Sequence, residues 1–401
     1  MNPSVQDNNF SSLSLADTLK INAPLEKKNN LYKYLQKNKD TLTELSLDNC
    51  KEDLVHLFGQ FEFPLLTKFE LSEFVAIEDA KGSKKSKSKQ LYGEIDESPM
   101  TKIPLDRFPG LVELKIVNSP NITNGIFGVI AKHCPLLTWL EFGGKPEEYN
   151  CNISLDGIRV LEGCVLGCVF CCRRSPSCCH GAPIEPIETL KIHYCVKIGE
   201  KSIELINERF CDSLKSFSIY RNYLEFSAKI TDKCLKAFEK STKLETLEVV
   251  YCRNFDWDCV SNIATCCKNL KVLNLQDCPI QESFEPLAEG CPYLEELNMS
   301  GDSWVKEEAL VGLCKHKNLK IYHLGHFEHG DVDCLDIDEP EKGKFIGTLL
   351  SCEDNLPNLQ VLHLEKCCLS MYIEDRIKNK RPDVEIAVSD VFPTKISKDL
   401  D

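Results

Sequence analysis

The sequence predicts one right-handed α/β solenoid, curved into a horseshoe, with parallel strands on the concave face and helices on the convex face. Three observations predict it. A nine-residue pattern, L-x-x-L-x-L-x-x-C/N with other apolar residues allowed at the Leu positions, occurs eleven times between Leu42 and Cys367. Its starts lie 24, 45, 26, 50, 27, 30, 26, 24, 25 and 40 residues apart, so seven of ten intervals fall in the narrow period of a stacked repeat. Within each copy apolar and polar residues alternate, as in a strand with one buried face. Between copies the apolar residues return at helical spacing. One strand–turn–helix unit cannot bury its own apolar face, but stacked units share a continuous core, and successive strands are then parallel.

The copies run LTELSLDNC from Leu42, LTKFELSEF from Leu66, LVELKIVNS from Leu111, LTWLEFGGK from Leu137, IETLKIHYC from Ile187 and LKSFSIYRN from Leu214. They continue with LETLEVVYC from Leu244, LKVLNLQDC from Leu270, LEELNMSGD from Leu294, LKIYHLGHF from Leu319 and LQVLHLEKC from Leu359. After Pro120, the residues Ile122, Ile126, Phe127, Ile130, Ala131 and Cys134 mark one helical face, with Thr123 as N-cap. Ile230, Thr231 and Asp232 open a similar helix through Cys234, Leu235 and Phe238. Residues 1–25 read as a disordered polar tail. A short helix through Leu31, Tyr34 and Leu35 reads as the outer half of an extra repeat that caps the array. The solenoid then spans 26–390, with Pro382 to Val388 as a last strand and 391–401 as a second tail. Inserts interrupt it at 81–105, 145–186 and 327–345.

Composition narrows the function. The chain has 401 residues and a net charge of −14, which argues against a general binder of nucleic acid or anionic membranes. No run of 18 apolar residues spans a membrane, and the start lacks a signal pattern. The 23 cysteines, an odd number, fit thiols in a reducing compartment, cytoplasmic and also nuclear. Five of them close a motif (Cys50, Cys195, Cys252, Cys278 and Cys367) and four sit three residues before one (Cys134, Cys211, Cys267 and Cys291). A small, weakly polar side chain suits a tight, buried strand exit. No phosphate loop, dinucleotide fingerprint, HExxH or nucleophile elbow occurs, so the expectation is a non-catalytic protein without a cofactor.

LETLEVVYC, LKVLNLQDC, the helix opening ITDKCLKAF and the links CPLLTWLEF and CPYLEELNM resemble the cysteine-containing subclass of leucine-rich repeats. That subclass occurs in F-box/leucine-rich-repeat proteins and in proteins like the yeast antagonist of mitotic exit network. The resemblance covers most of 42–370. It implies a protein-binding adaptor, and a substrate-recognition role in ubiquitin-ligase assembly of the Skp–cullin–F-box type. Where those proteins carry a helical F-box, this sequence has the polar tail and the capping helix.

In such a solenoid, positions i+2, i+4 and i+6 of each motif line the concave face and meet solvent. Trp139 falls there, where the alternation calls for a polar residue. Nearby motifs add His193, Tyr194, Tyr220, Arg221, Tyr251 and Arg253. Trp, Tyr and Arg are the types enriched at binding hot spots, so these seven form the candidate partner-binding patch. The alternative is that Trp139 covers the insert that follows it. That insert carries Cys164, Cys168, Cys171, Cys178 and His180, with Cys151 just upstream. Zinc ligation, lipidation, oxidant sensing and a plain solvated loop all fit this text, and a metal- or redox-responsive regulator is the alternative function. The Lys-rich run in 81–105 reads as a solvated loop or a targeting signal, and the acidic 327–345 as a solvated loop.

Overall fold

A computed structural model of the chain describes residues 18–22, 28–48, 58, 61–73, 103–119, 122–146, 151, 153–161, 187–221, 230–255, 258–280, 282–301, 307–324, 348–349, 354–365 and 371–389. They fall into two compact units, residues 1–213 and 214–401, with the short segment 226–228 grouped with the first. Each unit is described by itself.

In the first unit, β1 (Thr18–Asn22), β2 (Glu44–Asp48), β3 (Lys68–Ser72), β4 (Glu113–Val117), β5 (Trp139–Gly143) and β6 (Thr189–His193) pair in chain order, every pair parallel. The second unit repeats the arrangement with β7 (Ser216–Tyr220), β8 (Thr246–Val250), β9 (Val272–Asn274), β10 (Glu296–Met299), β11 (Ile321–Leu324), β12 (Val361–Glu365) and β13 (Glu385–Ser389). All eleven motifs are strands, and the expected terminal strand is β13. The N-terminal boundary needs correction. β1 lies inside the segment read as a tail and pairs with β2 from Thr18↔Glu44 to Asn22↔Asp48. Its TLKIN matches the TLKIH of β6 and sets Leu19 and Ile21 in register with Leu45 and Leu47, but Ala16 stands at the first Leu position and Pro24 at the closing one, so the full motif is not met; β2 also offers an edge that needs a partner. The helix Lys28–Asn38 follows as expected, with Leu35 fully buried.

The strands stack with no register shift. Leu45, Phe69, Leu114, Leu140 and Leu190 are Cα partners in succession, and Leu47, Leu71, Ile116, Phe142 and Ile192 form the next row. These ten side chains are at most 2% exposed. Each such residue contributes about 1.5–3 kcal/mol relative to exposure. Helices Gly125–His133, Leu155–Leu161 and Glu200–Phe210 bury one face each in the first unit. Where the first insert leaves, Phe58, Phe63, Phe69 and Phe108 pack edge-on or tilted with ring centroids 5.0–6.2 Å apart. That insert is shorter than the sequence suggests, because Ile103 and Leu105 are core residues. Residues 81–102, most of 145–186 and all of 327–345 lie outside the described residues.

Two features recur at fixed motif positions. Position i+7 has positive φ at Glu73, Asn118, Tyr194, Tyr251 and Asp277 (51–59°), and Gly301 holds the same place at 83°. The left-handed residue turns the chain out of the strand and aims the next residue back inside. Cys195, Cys252 and Cys278 occupy that next position and are buried. The Cys278 thiol donates to the Val249 carbonyl of the preceding repeat at 3.1 Å, which a leucine there could not do. Second, an asparagine directly before the motif reaches the equivalent turn of the previous repeat. Asn269 Nδ2 donates to Thr242 O (2.6 Å), Asn318 to Pro292 O (2.6 Å) and Asn358 to Lys317 O (2.7 Å). Because these bonds are solvent-exposed, Asn318→Ala should lower the unfolding free energy by only about 0.5–1 kcal/mol. Leu273→Ala should cost about 2–5 kcal/mol. Chemical denaturation of the two variants checks this ordering.

Candidate functional site

The face of the first sheet opposite the leucine rows carries a ladder of charge. Lys68 Nζ lies 3.4 Å from Glu44 and 3.5 Å from Glu113. Lys115 Nζ lies 3.3 Å from Glu113 and 3.9 Å from Glu141, and His193 Nε2 is 2.9 Å from Glu141 Oε1. In-register pairing makes the Glu44–Lys68–Glu113 and Lys115–Glu141 rungs, since it sets position i+2 or i+4 of one strand beside the same position of the next; Lys115 also reaches Glu113 along its own strand, and His193 reaches Glu141 diagonally. The neighbouring charges of Glu113 and Glu44 hold the Lys68 ammonium above its ordinary range. Burial pushes the Glu141 carboxyl up, but the His193 hydrogen bond and the His193, Lys115 and Lys191 charges outweigh it and leave the group below its ordinary value. Glu44, Lys68, Glu113 and Lys115 also line a shallow pocket of about 190 Å³.

Trp139 interrupts this ladder. It is half-buried, with Lys115 Nζ 5.5 Å and Lys191 Nζ 6.0 Å from its ring centroid. Two cations over one indole make a polarised aromatic step between charged rungs. At the other end of the same strand pair, four residues beyond Trp139 and its Cα partner Thr189, the rings of His193 and Tyr194 lie 6.3 Å apart, and burial raises the Tyr194 phenol above its ordinary value. The close approach of β5 and β6 here requires Gly143. Its φ is 155°, and a Cβ would come within 2.0 Å of the His193 carbonyl oxygen.

The corresponding face of the second unit differs from the expectation of solvent-facing polar residues. Ser218 (0% exposed), Glu248 (4%), Asn274 (1%), Asn298 (3%), Glu296 (7%) and His323 (7%) are buried. They tolerate burial because each finds a partner, on a neighbouring strand or on the backbone two residues further along. The Ser218 hydroxyl and the Tyr220 hydroxyl (2.7 Å) both donate to Glu248 Oε2. Asn274 and Asn298 side chains accept from the backbone N–H groups of Gln276 and Ser300. His323 Nε2 pairs with Glu296 Oε1 at 3.1 Å, and its ring stacks on His363 at 4.2 Å and 5°.

The seven patch residues therefore separate. Trp139, His193 and Tyr194 are half-buried in the first unit, Trp139 at the start of the β5–β6 pairing and His193 and Tyr194 at its end. In the second unit Tyr220 and Arg221 are buried, Tyr251 is half-buried and Arg253 is exposed. Tyr194 and Tyr251 also hold the left-handed i+7 place, a structural role the sequence pattern did not separate from binding. Cys164, Cys168, Cys171, Cys178 and His180 lie outside the described residues. Among the described residues no group of three or more His, Cys, Asp or Glu is placed to hold a metal ion, and no helix is long and apolar enough to cross a membrane. Most repeat cysteines are buried as expected, Cys211 being half-exposed. Burial pushes the Cys134, Cys252, Cys291 and Cys314 thiols up to about 12.

Burial, reinforced by the His323 charge, lowers His363 to about 4. The unfolded chain, with an ordinary histidine, then binds more protons than the fold between about pH 6.5 and 4. Stability is fully present above that window and is lost as pH falls through it. In urea titrations at pH 7 and pH 5, His363→Phe should lose less stability than the unmodified chain. Equal losses would remove His363 as a source of acid sensitivity.

No protein-family model and no curated protein matches the sequence. Solved structures do resemble it. Yeast Rad7, crystallised in complex with Elc1, shares 16% identity over 89% of this chain and 86% of that one, with a TM-score of 0.37. An internalin from Listeria monocytogenes shares 12% over 90% and 89%, at 0.42. The leucine-rich-repeat-containing protein LegL7 from Legionella pneumophila shares 13% over 72% and 85%, at 0.41. The recurring motif, its in-register parallel strands and its leucine rows are those of a leucine-rich-repeat solenoid.

Proposed function

We propose that this chain is a protein-interaction adaptor that holds its partner on the strand face of the first unit, around Trp139. The observation that carries this is the indole itself: a large, rigid, half-buried ring among ion-paired charges, with Lys115 and Lys191 beside it. Aromatic anchors ringed by polar groups are the residues on which binding energy concentrates. A leucine-rich-repeat fold, which presents a broad strand face, supports the same reading.

The finer proposal is substrate recognition within a ubiquitin ligase, and its support is the cysteine-type motif. The strand exits at Cys252 and Cys278 carry that motif's buried cysteine. Any ligase contact near the N-terminus shares its segment with a structural cap, because β1 pairs with β2 and Leu35 is buried. Deleting residues 1–40 would therefore strip the first repeat as well as any ligase contact, and point variants are the better probe.

The test is affinity capture of the full chain from its native cell, with mass spectrometry, beside Trp139→Ala and Tyr194→Ala. Trp139→Ala should keep its circular dichroism and lose its partner by about thirtyfold, the scale of a hot spot. Tyr220→Ala, which removes a donor to buried Glu248, should instead destabilise the fold. If Trp139→Ala recovers every partner at the unmodified level, the surface is wrongly assigned. Recovery of cullin-type subunits supports the ligase role, and a robust partner without them removes it.

A further inference from the structure

Two thiols meet at the base of the second insert. Cys151 precedes the helix Leu155–Leu161, and Cys195 follows the left-handed turn that ends β6. Both are buried, at 0% and 4% exposure, and their sulfur atoms lie 2.7 Å apart. That is only about 0.7 Å longer than a disulfide bond. The backbone holds them there. Gly144 N–H donates to the His193 carbonyl at 3.0 Å, the Cys195 sulfur lies 3.4 Å from the same carbonyl, and Gly143 leaves no room for a side chain between the strands.

The surroundings set Cys151 apart from the other repeat cysteines. The hydrogen bond with Cys195 lowers its thiol below the ordinary value and prevails over burial, helped by the N–H groups of Ile153 and Gly144 and the charge of Lys197. Cys134 and Cys252 are shifted the other way by burial, which leaves them inert.

We propose that Cys151 and Cys195 form a reversible disulfide that ties the base of the insert to β6. The oxidant is a hydroperoxide. The Cys151 thiolate attacks the peroxide, forming an S–O bond and breaking the O–O bond. The departing alkoxide or hydroxide takes a proton and leaves as alcohol or water. The Cys195 sulfur then attacks Cys151, the S–S bond forms, the S–O bond breaks, and the hydroxide leaves with the Cys195 proton as a second water. The two thiols give up two electrons and the peroxide accepts them. A dithiol reverses the bond. Oxidation closes a loop over 152–194, which contains the Cys-rich run, and so restricts the ends of that run without needing any of its cysteines. The proposal is independent of the partner-binding reading.

The test uses the full chain, reduced, desalted and titrated with hydrogen peroxide under native conditions. Samples are quenched in acid with an alkylating agent and mapped without reduction. A Cys151–Cys195 linked peptide should appear at least about tenfold faster than modification of Cys134, Cys252 or Cys291. It should persist when all six cysteines of the run 164–179 are changed to serine. In Cys195→Ser, with circular dichroism confirming the fold, a sulfenic-acid probe should label Cys151. Peroxide that leaves Cys151 and Cys195 reduced, or links Cys151 only to the insert cysteines, overturns the proposal. So does a Cys195→Ser chain that folds but takes no label at Cys151.

Discussion

The structure depends on zero-shift stacking of parallel strands. A repeat of this kind has one apolar edge on each side and cannot fold on its own, so every layer is stabilised by the next. Because β2 to β6 pair residue for residue, whatever stands at one motif position stands beside its counterpart in the next repeat. Leucines therefore meet leucines, turns meet turns, and the asparagine that precedes three of the motifs reaches the turn before it. Among the described residues the outermost strands are β1 in the first unit and β13 in the second; each keeps the two inner apolar positions, Leu19 and Ile21 in one and Ile386 and Val388 in the other, without a Leu at the first motif position.

The same register builds the surfaces. In the first unit it sets Glu beside Lys along a row, so each ladder lysine, Lys68 and Lys115, stands between two carboxylates. Individually exposed ion pairs of this kind stabilise little. Their consequence is to define a charged platform on which Trp139 is the one large aromatic among the described strand-face positions of β2–β6. In the second unit the register brings Ser218 and Tyr220 to Glu248, and His323 to Glu296, and the face is spent on internal hydrogen bonds. Surfaces that the sequence pattern reads as equivalent are therefore chemically unlike.

Much of the fold was legible because the period is carried by side chains that must be buried. Leu45, Leu114, Leu247 and Leu273 announce their strands, and Cys252 and Cys278 announce the exits. What was missed carries an incomplete or masked signature. β1 has Leu19 and Ile21 at the inner motif positions but Ala16 at the first, and Ile103 and Leu105 continue the core beyond a Lys-rich stretch that hid them. The asparagines of NLKVLNL, NLKIYHL and NLQVLHL were in plain sight as a repeated Asn-Leu step, but their partners lie 26–41 residues away. The site was legible in part. Alternation placed Trp139 and His193 on the strand face, but it could not tell that Tyr220 and Arg221 would be covered while Arg253 stayed exposed. Nor could spacing show that Cys151 and Cys195, 44 residues apart, meet.

The most direct test of the central claim is amine-reactive cross-linking in the native cell, with the cross-links to partner proteins mapped by mass spectrometry. Lys68, Lys115 and Lys191 lie on the strand face, and Lys132, Lys201 and Lys236 are exposed on the helices. The account predicts partner cross-links concentrated at Lys115 and Lys191, beside Trp139. Partner cross-links confined to the helix lysines, with the strand-face lysines linked only within the chain, would contradict it.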